Sequence, residues 1–315
     1  MSTISEHRQS TATACDIAIV GGGPAGLSAA IWLGRYGWSV VLVDSGDPRN
    51  WETRGIHGYL GVAVCTPAEL RGTGRKEARR VGATLIDGCV STAERIEEEL
   101  FRLTLENGDL IESRRLLLAI GIKDIWPNVP GLEHVYGDTA HHCPDCDGYE
   151  ARGKKIVVIG SGRSAAGMAF SLTTWSREIV ICTNGQPADI AAPDLAKLDA
   201  LNIPVLETKI IALRAQDSAV RSLELEGGMS LDCERIFFAI GHYPADDLGV
   251  QLGCKRDLEG LVEVDAHYHT SVLNVYAAGD IVPGPHLAIA AAADGAMAAL
   301  AIHASLVPEE RKLTK

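Results

Sequence analysis

Aromatic residues are scarce in this sequence: 5% of 315 positions, with only four phenylalanines. A core poor in rings has to be filled by aliphatic side chains. Cationic residues are scarce as well. There are 29 Lys and Arg against 41 Asp and Glu, a formal net charge of -12. So acidic a chain lacks the phosphate-neutralising surface that nucleic-acid binding rests on. Long apolar runs are missing too. No stretch reaches the roughly 18 residues of a membrane span, because the longest, Leu287–Ile302, is alanine-rich and interrupted by Asp294 and Gly295. The first sixteen residues are polar and hold no apolar leader core. The expectation is a loose tail on a cytoplasmic protein, with no membrane and no nucleic acid among its partners.

Aliphatic and small residues are abundant. Hydrophobic residues make up 46% of the chain and glycines number 33, a composition that suits buried parallel strands joined by tight turns. The length fits one large or two medium domains. Of eight cysteines, Cys15, Cys65, Cys89, Cys182, Cys233 and Cys254 are scattered singly and read as small buried or incidental residues. A disulfide framework is not expected at this length without a secretion signal. Cys143 and Cys146 alone are paired at short spacing.

Two segments share one layout. The strand Asp16–Val20 runs into Gly21-Gly22-Gly23-Pro24-Ala25-Gly26, then a small-residue helix to about Tyr36 with Gly37 as its stop, then a strand Val40–Val43 ending in Asp44. This is a βαβ unit carrying the dinucleotide fingerprint. Gly21 permits the tight turn, Gly23 lets the backbone approach a pyrophosphate, and Gly26 allows close helix–strand packing. The helix start offers N–H groups to phosphate, and Asp44 offers an acceptor to a ribose hydroxyl. The second copy begins at Lys155: strand Ile156–Ile159, turn Gly160-Ser161-Gly162-Arg163-Ser164-Ala165, a helix to about Thr174, and strand Ile179–Ile181. Residues 95–118 and 206–238 alternate charged and apolar residues like antiparallel meanders. Strands ending in Gly121 and Gly241 mark domain junctions.

The pair in His141-His142-Cys143-Pro144-Asp145-Cys146-Asp147-Gly148-Tyr149-Glu150 has the spacing for a small disulfide ring, with one thiol of lowered pKa. Half a zinc site is the competing reading, and no second C-x-x-C completes four ligands. No metal is expected.

Val275-Tyr276-Ala277-Ala278-Gly279-Asp280 resembles the second flavin motif of the FAD-dependent pyridine-nucleotide disulfide oxidoreductases. The junctions at Gly121 and Gly241 resemble that family's as well. The placement of C-x-x-C-D-G just before the second glycine turn is similar to the small thioredoxin reductases. The resemblance runs from about residue 16 to 305. It implies an α/β fold of two Rossmann-like, three-layer domains, the second inserted in the first. The flavin domain would be 1–121 and 244–315, and the NAD(P)H-binding-like domain 122–243. It implies FAD held by Gly21, Gly23, Pro24, Ala25, Gly26, Asp44, Asn50, His57, Gly121, Gly279, Asp280, His286, Leu287 and Ala288. It also implies Cys146 facing the flavin, Cys143 meeting the substrate sulfur, Asp147 moving the thiol proton with His142 as a second candidate, and a homodimer.

Pro144, the run Gly148-Tyr149-Glu150, and Asp44–Asn50 followed by His57–Gly61 resemble the dithiol oxidases of gliotoxin and holomycin type. That branch carries His after the second Cys, whereas this chain has Asp147. The second glycine turn departs from the thioredoxin reductases. Thr183-Asn184-Gly185 stands where a His-Arg-Arg run holds the NADPH phosphate, Gly167-Met168 replaces a Glu pair, and Arg163 replaces Asp. NADPH is therefore not the expected donor. Reduced ferredoxin, O2, or a second nucleotide or flavin in the degenerate site remain open. A stripe of Arg71, Arg75 and Arg79 with Lys76 and Arg80 is a candidate docking face for an acidic ferredoxin. The external partner is expected to be thioredoxin or a small dithiol. A non-enzymatic flavin-binding redox sensor is the alternative of another class.

Overall fold

The computed structural model describes residues 12–49, 51–62 and 64–313. The chain forms two compact units: residues 1–49, 68–123 and 243–315 in one, 50–67 and 124–242 in the other.

The first unit opens with β1 (Thr13–Val20), α1 (Pro24–Arg35), β2 (Val40–Asp44), α2 (Pro67–Arg80) and β3 (Thr84–Asp87). The meander β4 (Val90–Glu97), β5 (Leu100–Leu105) and β6 (Leu110–Leu118) follows. Strands β3, β2, β1 and β6 lie side by side in parallel. The first half of β6 pairs antiparallel with β5, so one strand joins the parallel sheet to the meander. Alternation decides the layers. Ile17, Ile19, Leu42 and Leu117 face one core, while Ala18, Val20, Val41, Val43, Leu116 and Leu118 face another with Phe101 and Leu103 of the meander.

The second unit contains β7 (Ile122–Asp124) at its entry, β8 (Ala140–His141), α3 (Pro144–Asp147), β9 (Ile156–Gly160), α4 (Gly162–Leu172), β10 (Ile179–Cys182), α5 (Ala192–Ala200) and β11 (Val205–Leu206). Then come β12 (Ile210–Gln216), β13 (Ala219–Leu225), β14 (Ser230–Asp232), β15 (Arg235–Ala239) and, at its exit, β16 (His242–Pro244), which pairs with β7. Its parallel sheet runs β11-β10-β9-β15-β8. The alternation recurs. Ile156, Val158 and Phe237 pack on α4 through Ala165, Ala169 and Leu172, while Val157, Ile159 and Phe238 pack on the meander through Val220, Leu223 and Leu225. Each unit is thus helix, parallel sheet and antiparallel meander in three layers, the two-domain Rossmann-like architecture expected.

The chain then returns to the first unit through α6 (Leu248–Gln251), β17 (Val275–Ala277) and α7 (Ala288–Leu306). β17 takes the place beside the second half of β6. Among the described residues α7 is the one helix long and apolar enough to cross a membrane. Here it is a core helix: Ala291, Ala298, Ala299, Ile302 and Leu306 are buried in one cluster with Ala25, Ala29, Ala30 and Leu33 of α1. A Cβ on Gly295 would lie 2.0 Å from the carbonyl oxygen of Ala25, so only glycine permits this approach. The isolated cysteines behave as expected. Burial pushes the Cys15 and Cys233 thiols up to about 12 and raises Cys182 and Cys254. Such thiols are inert.

Candidate functional site

In the first unit the glycine turn is fixed by crowding on one side and left clear on the other. A Cβ at Gly21 would sit 2.1 Å from the Ala119 carbonyl oxygen, and one at Gly26 1.9 Å from the Gly21 oxygen. One at Gly23 would meet nothing within 4 Å. Gly23 is the N-cap of α1, with Pro24 beginning the helix and no side chain capping it. The first N–H groups of α1 therefore face open space with a positive dipole end behind them. Gly279 lies across the turn: its φ is +80°, and a Cβ there would lie 2.7 Å from that of Ala25. This brings Asp280 to the cradle. Leu287 and Ala288, the N-cap and first residue of α7, follow His286. Gly121, after β6, takes φ +70° and its carbonyl accepts from the Ala245 N–H.

Asp44 is buried and already partnered. Oδ1 accepts the Gly46 N–H at 3.1 Å, and Oδ2 accepts from Arg71 at 2.5 Å and Arg75 at 2.7 Å. Arg75 also reaches Asp87. Asp280 pairs with Arg49 at 3.2 Å. Two residues of the expected basic stripe on α2 turn away from solvent, while Lys76, Arg79 and Arg80 are exposed. Arg71 and Arg75 have side chains only 16% and 13% exposed and turn inward to Asp44, because a buried carboxylate needs cationic partners. Asn50 lies outside the described residues.

In the second unit Cys143 and Cys146 are joined by a disulfide, their Cα atoms 5.3 Å apart. Cys143 is the N-cap of α3, and its Sγ accepts the Cys146 N–H at 3.1 Å. Pro144 starts the turn. Gly148 ends it where a Cβ would strike the Trp175 ring at 2.5 Å. An N–H aimed at sulfur favours the thiolate once the bond opens. Asp147 is buried, and burial above all pushes its carboxyl up to about 6; Glu150 adds to the rise while His57 and Arg235 oppose it. His141 Nδ1 stands 3.5 Å from Asp147 Oδ1. Burial, then the Arg235 charge, lowers His141 to about 3, so it is neutral at pH 7.

His57, expected among the flavin contacts, lies beside this pair. Its Nδ1 lies 3.1 Å from the Cys146 carbonyl oxygen and 4.0 Å from Asp147 Oδ1, and its Nε2 lies 3.8 Å from Glu150. The segment bearing it is held by the Arg54–Asp138 ion pair and by Gly137, where any Cβ would meet the Glu52 carbonyl at 2.2 Å. His142 takes a different position. Its Nδ1 is 2.7 Å from the Tyr136 hydroxyl and its Nε2 3.7 Å from Asp124, in a group of rings with Phe238.

The model of the pyridine nucleotide-disulphide oxidoreductases matches residues 15–295. The chain belongs to this family. A thioredoxin reductase of Claviceps purpurea, tcpT, is 29% identical over 282 residues, covering 86% of this chain and 88% of its own. The crystal structure of HlmI is 33% identical, with a TM-score of 0.88, over 93% of this chain and 92% of that one. A structure described as the putative thioredoxin reductase TrxB of Bacillus anthracis is 28% identical, with a TM-score of 0.88, over 94% and 100% of the two chains. The protein is thus a flavin oxidoreductase of the thioredoxin-reductase-like kind, acting on sulfur. The family's FAD fits the first unit: the open ground before Gly23, the uncapped N–H groups of α1, and a spare acceptor direction on Asp44 Oδ1 suit a pyrophosphate and a ribose.

The second glycine turn offers less. Its Gly162 N–H donates to the Ala188 carbonyl oxygen at 2.7 Å. Asn184, in the loop after β10, adopts φ 55°. Both ends of its amide are engaged, Oδ1 accepting from the Ile210 N–H at 2.8 Å and Nδ2 donating to the Asn128 oxygen at 3.3 Å. Sequence reasoning missed Arg49 and Glu150 as members of their sites, and it misread the inward face of α2. The i, i+4 spacing of Arg71 and Arg75 was visible; that the shared face turns to a carboxylate was not.

Proposed function

We propose that the protein is an FAD-dependent thiol–disulfide oxidoreductase that exchanges electron pairs between Cys143–Cys146 and an external dithiol or disulfide, thioredoxin or a small molecule, and that NADPH is not its donor. The observation that carries this reading is the closed Cys143–Cys146 disulfide with the buried Asp147 carboxyl directly after it. Bound FAD supplies a two-electron exchange partner for the pair. The remaining chemistry belongs to the chain. Cys143 receives the attack of an external thiolate, Cys146 leaves as a thiolate beside Asp147, and Asp147 takes and returns the proton that each thiol must lose to react.

The engaged Asn184 amide and the neutral Thr183 favour an oxidising direction, in which a small dithiol reduces the pair and O2 reoxidises the flavin. An anaerobic titration tests both parts. Dithiothreitol is expected to bleach the flavin absorbance while NADPH and NADH leave it unchanged, and air is expected to restore the colour. Prompt stoichiometric bleaching by NADPH would reject the donor assignment. If dithiothreitol fails to bleach, reduced ferredoxin becomes the donor to test next, and the oxidising direction falls.

A further inference from the structure

Asp147 is set back from solvent, with its side chain 11% exposed, yet every turnover of a dithiol must move protons through its neighbourhood. His141 is no route: it is buried and neutral, and its Nε2 has no hydrogen-bond partner among the described residues. His57 is placed differently. It stands between two carboxylates, Asp147 at 4.0 Å and Glu150 at 3.8 Å, and its side chain is 31% exposed. Its Nδ1 meets the carbonyl of Cys146, the cysteine next to Asp147. In the neutral ring that bond leaves the proton on Nδ1 and turns the basic Nε2 to Glu150 and water.

We propose that His57 and Glu150 form with Asp147 a proton relay for the Cys143–Cys146 pair, His57 passing protons between the buried carboxyl and solvent and Glu150 positioning the imidazole. The relay rests on the functional reading above. In the exchange a dithiol brings two electrons and two protons. Its first thiolate bonds to Cys143 Sγ as the Cys143–Cys146 bond breaks, and Cys146 leaves as a thiolate. The second thiolate then displaces Cys143, releasing the cyclic or bridged disulfide. Two protons shed by the substrate thiols end on Cys143 and Cys146. Asp147 accepts and delivers them, and His57 holds a proton in transit between the first thiol's loss and the second cysteine's gain, with no net exchange with water. The charged and titratable groups facing Asp147 are His57, His141, Glu150 and Arg235. The first and third can be altered without opening the core.

The test uses the full-length flavoprotein with carbon-13-labelled aspartate. The Asp147 carboxyl is titrated by NMR, its signal identified by its loss in D147N. Single-turnover reaction of the disulfide with dithiothreitol is followed across pH. His57→Asn keeps a donor for the Cys146 carbonyl but cannot carry a proton. It is expected to raise the Asp147 midpoint by about one pH unit and to slow the exchange roughly 10- to 100-fold at pH 7. Glu150→Gln is expected to lower the midpoint. If H57N leaves both midpoint and rate unchanged, His57 is only a structural contact and the relay is overturned. Should H57N fold poorly, E150Q decides alone through the rate: slower single-turnover exchange at pH 7 supports the relay, and an unchanged rate overturns it. Because single turnover needs no physiological partner, slowed exchange in these variants would uphold the relay even if steady dithiol turnover were absent and the functional reading failed.

Discussion

The two glycine turns are built alike and equipped differently. Each follows a buried parallel strand and opens a helix packed on the sheet. In the first, the ground before Gly23 is clear and the strand after the helix ends in Asp44, braced by Arg71 and Arg75. In the second, the Gly162 N–H is spent on Ala188 and the next strand leads into Asn184, whose amide ties down its own loop. The difference teaches that small residues in the turn preserve helix–sheet packing, while the loop after the second strand sets which polar groups stay open to a ligand. The second unit keeps the architecture and carries the Cys143–Cys146 disulfide.

The largest expected effect separates the turns directly. Gly26→Ala drives a methyl to 1.9 Å from a backbone oxygen and is expected to yield protein without flavin. Gly162→Ala meets only Asp189 at 3.6 Å, bears the cost of its positive φ, about 1 kcal/mol, and keeps the flavin. The ratio of flavin to protein absorbance checks both. Next comes linkage to ligand. FAD at a hundred times its dissociation constant is expected to stabilise the flavin-free protein by about 2.7 kcal/mol, and NADPH at the same concentration by none. A matching rise in Tm with NADPH would erase the contrast between the turns.

A third prediction concerns what the second unit retains. Asp147 is raised from 3.8 to about 6 in the folded state. Such a raised acid adds stability that is fully present below its unfolded pKa and is lost as pH rises through the folded value. Asp147→Asn is therefore expected to be more stable than the parent at pH 8 by about 2 kcal/mol, with the gap closing toward pH 4. Urea denaturation at both pH values checks the sign; a constant gap would refute it. The smallest contrast comes from Arg75→Met and Asn184→Ala, each expected to cost about 1 kcal/mol. Only the first should weaken FAD retention, measured by flavin release on dilution.

Much of the fold was legible because alternation and glycine placement are local signals. Asp16–Val20 and Ile156–Ile159 read as buried strands, and Gly37, at φ +83°, stops α1 where the sequence said it would. The meanders were recognisable from 95–118 and 206–238, and the structure adds β4 from Val90. What stayed hidden depended on contacts between distant positions. His57 lies 89 residues before Cys146, so no spacing rule links them. Residues 50–67 were expected with the first domain, yet they group with the second unit, where Arg54 and Gly137 hold them. The inward turn of Arg71 and Arg75 required knowing where Asp44 sits. The contacts of His142 with Tyr136 and Asp124 likewise join positions that no local spacing connects.

Gly295 has a consequence for how the protein is made. The turn at Gly21–Gly26 leaves the ribosome early, but the helix that closes over it through Gly295 and the strand that brings Asp280 are translated only after the entire second unit. A nascent chain therefore carries a nucleotide cradle with one wall missing. Flavin capture during synthesis would therefore wait for the segments that bear Asp280 and Gly295 as well as for the first glycine turn.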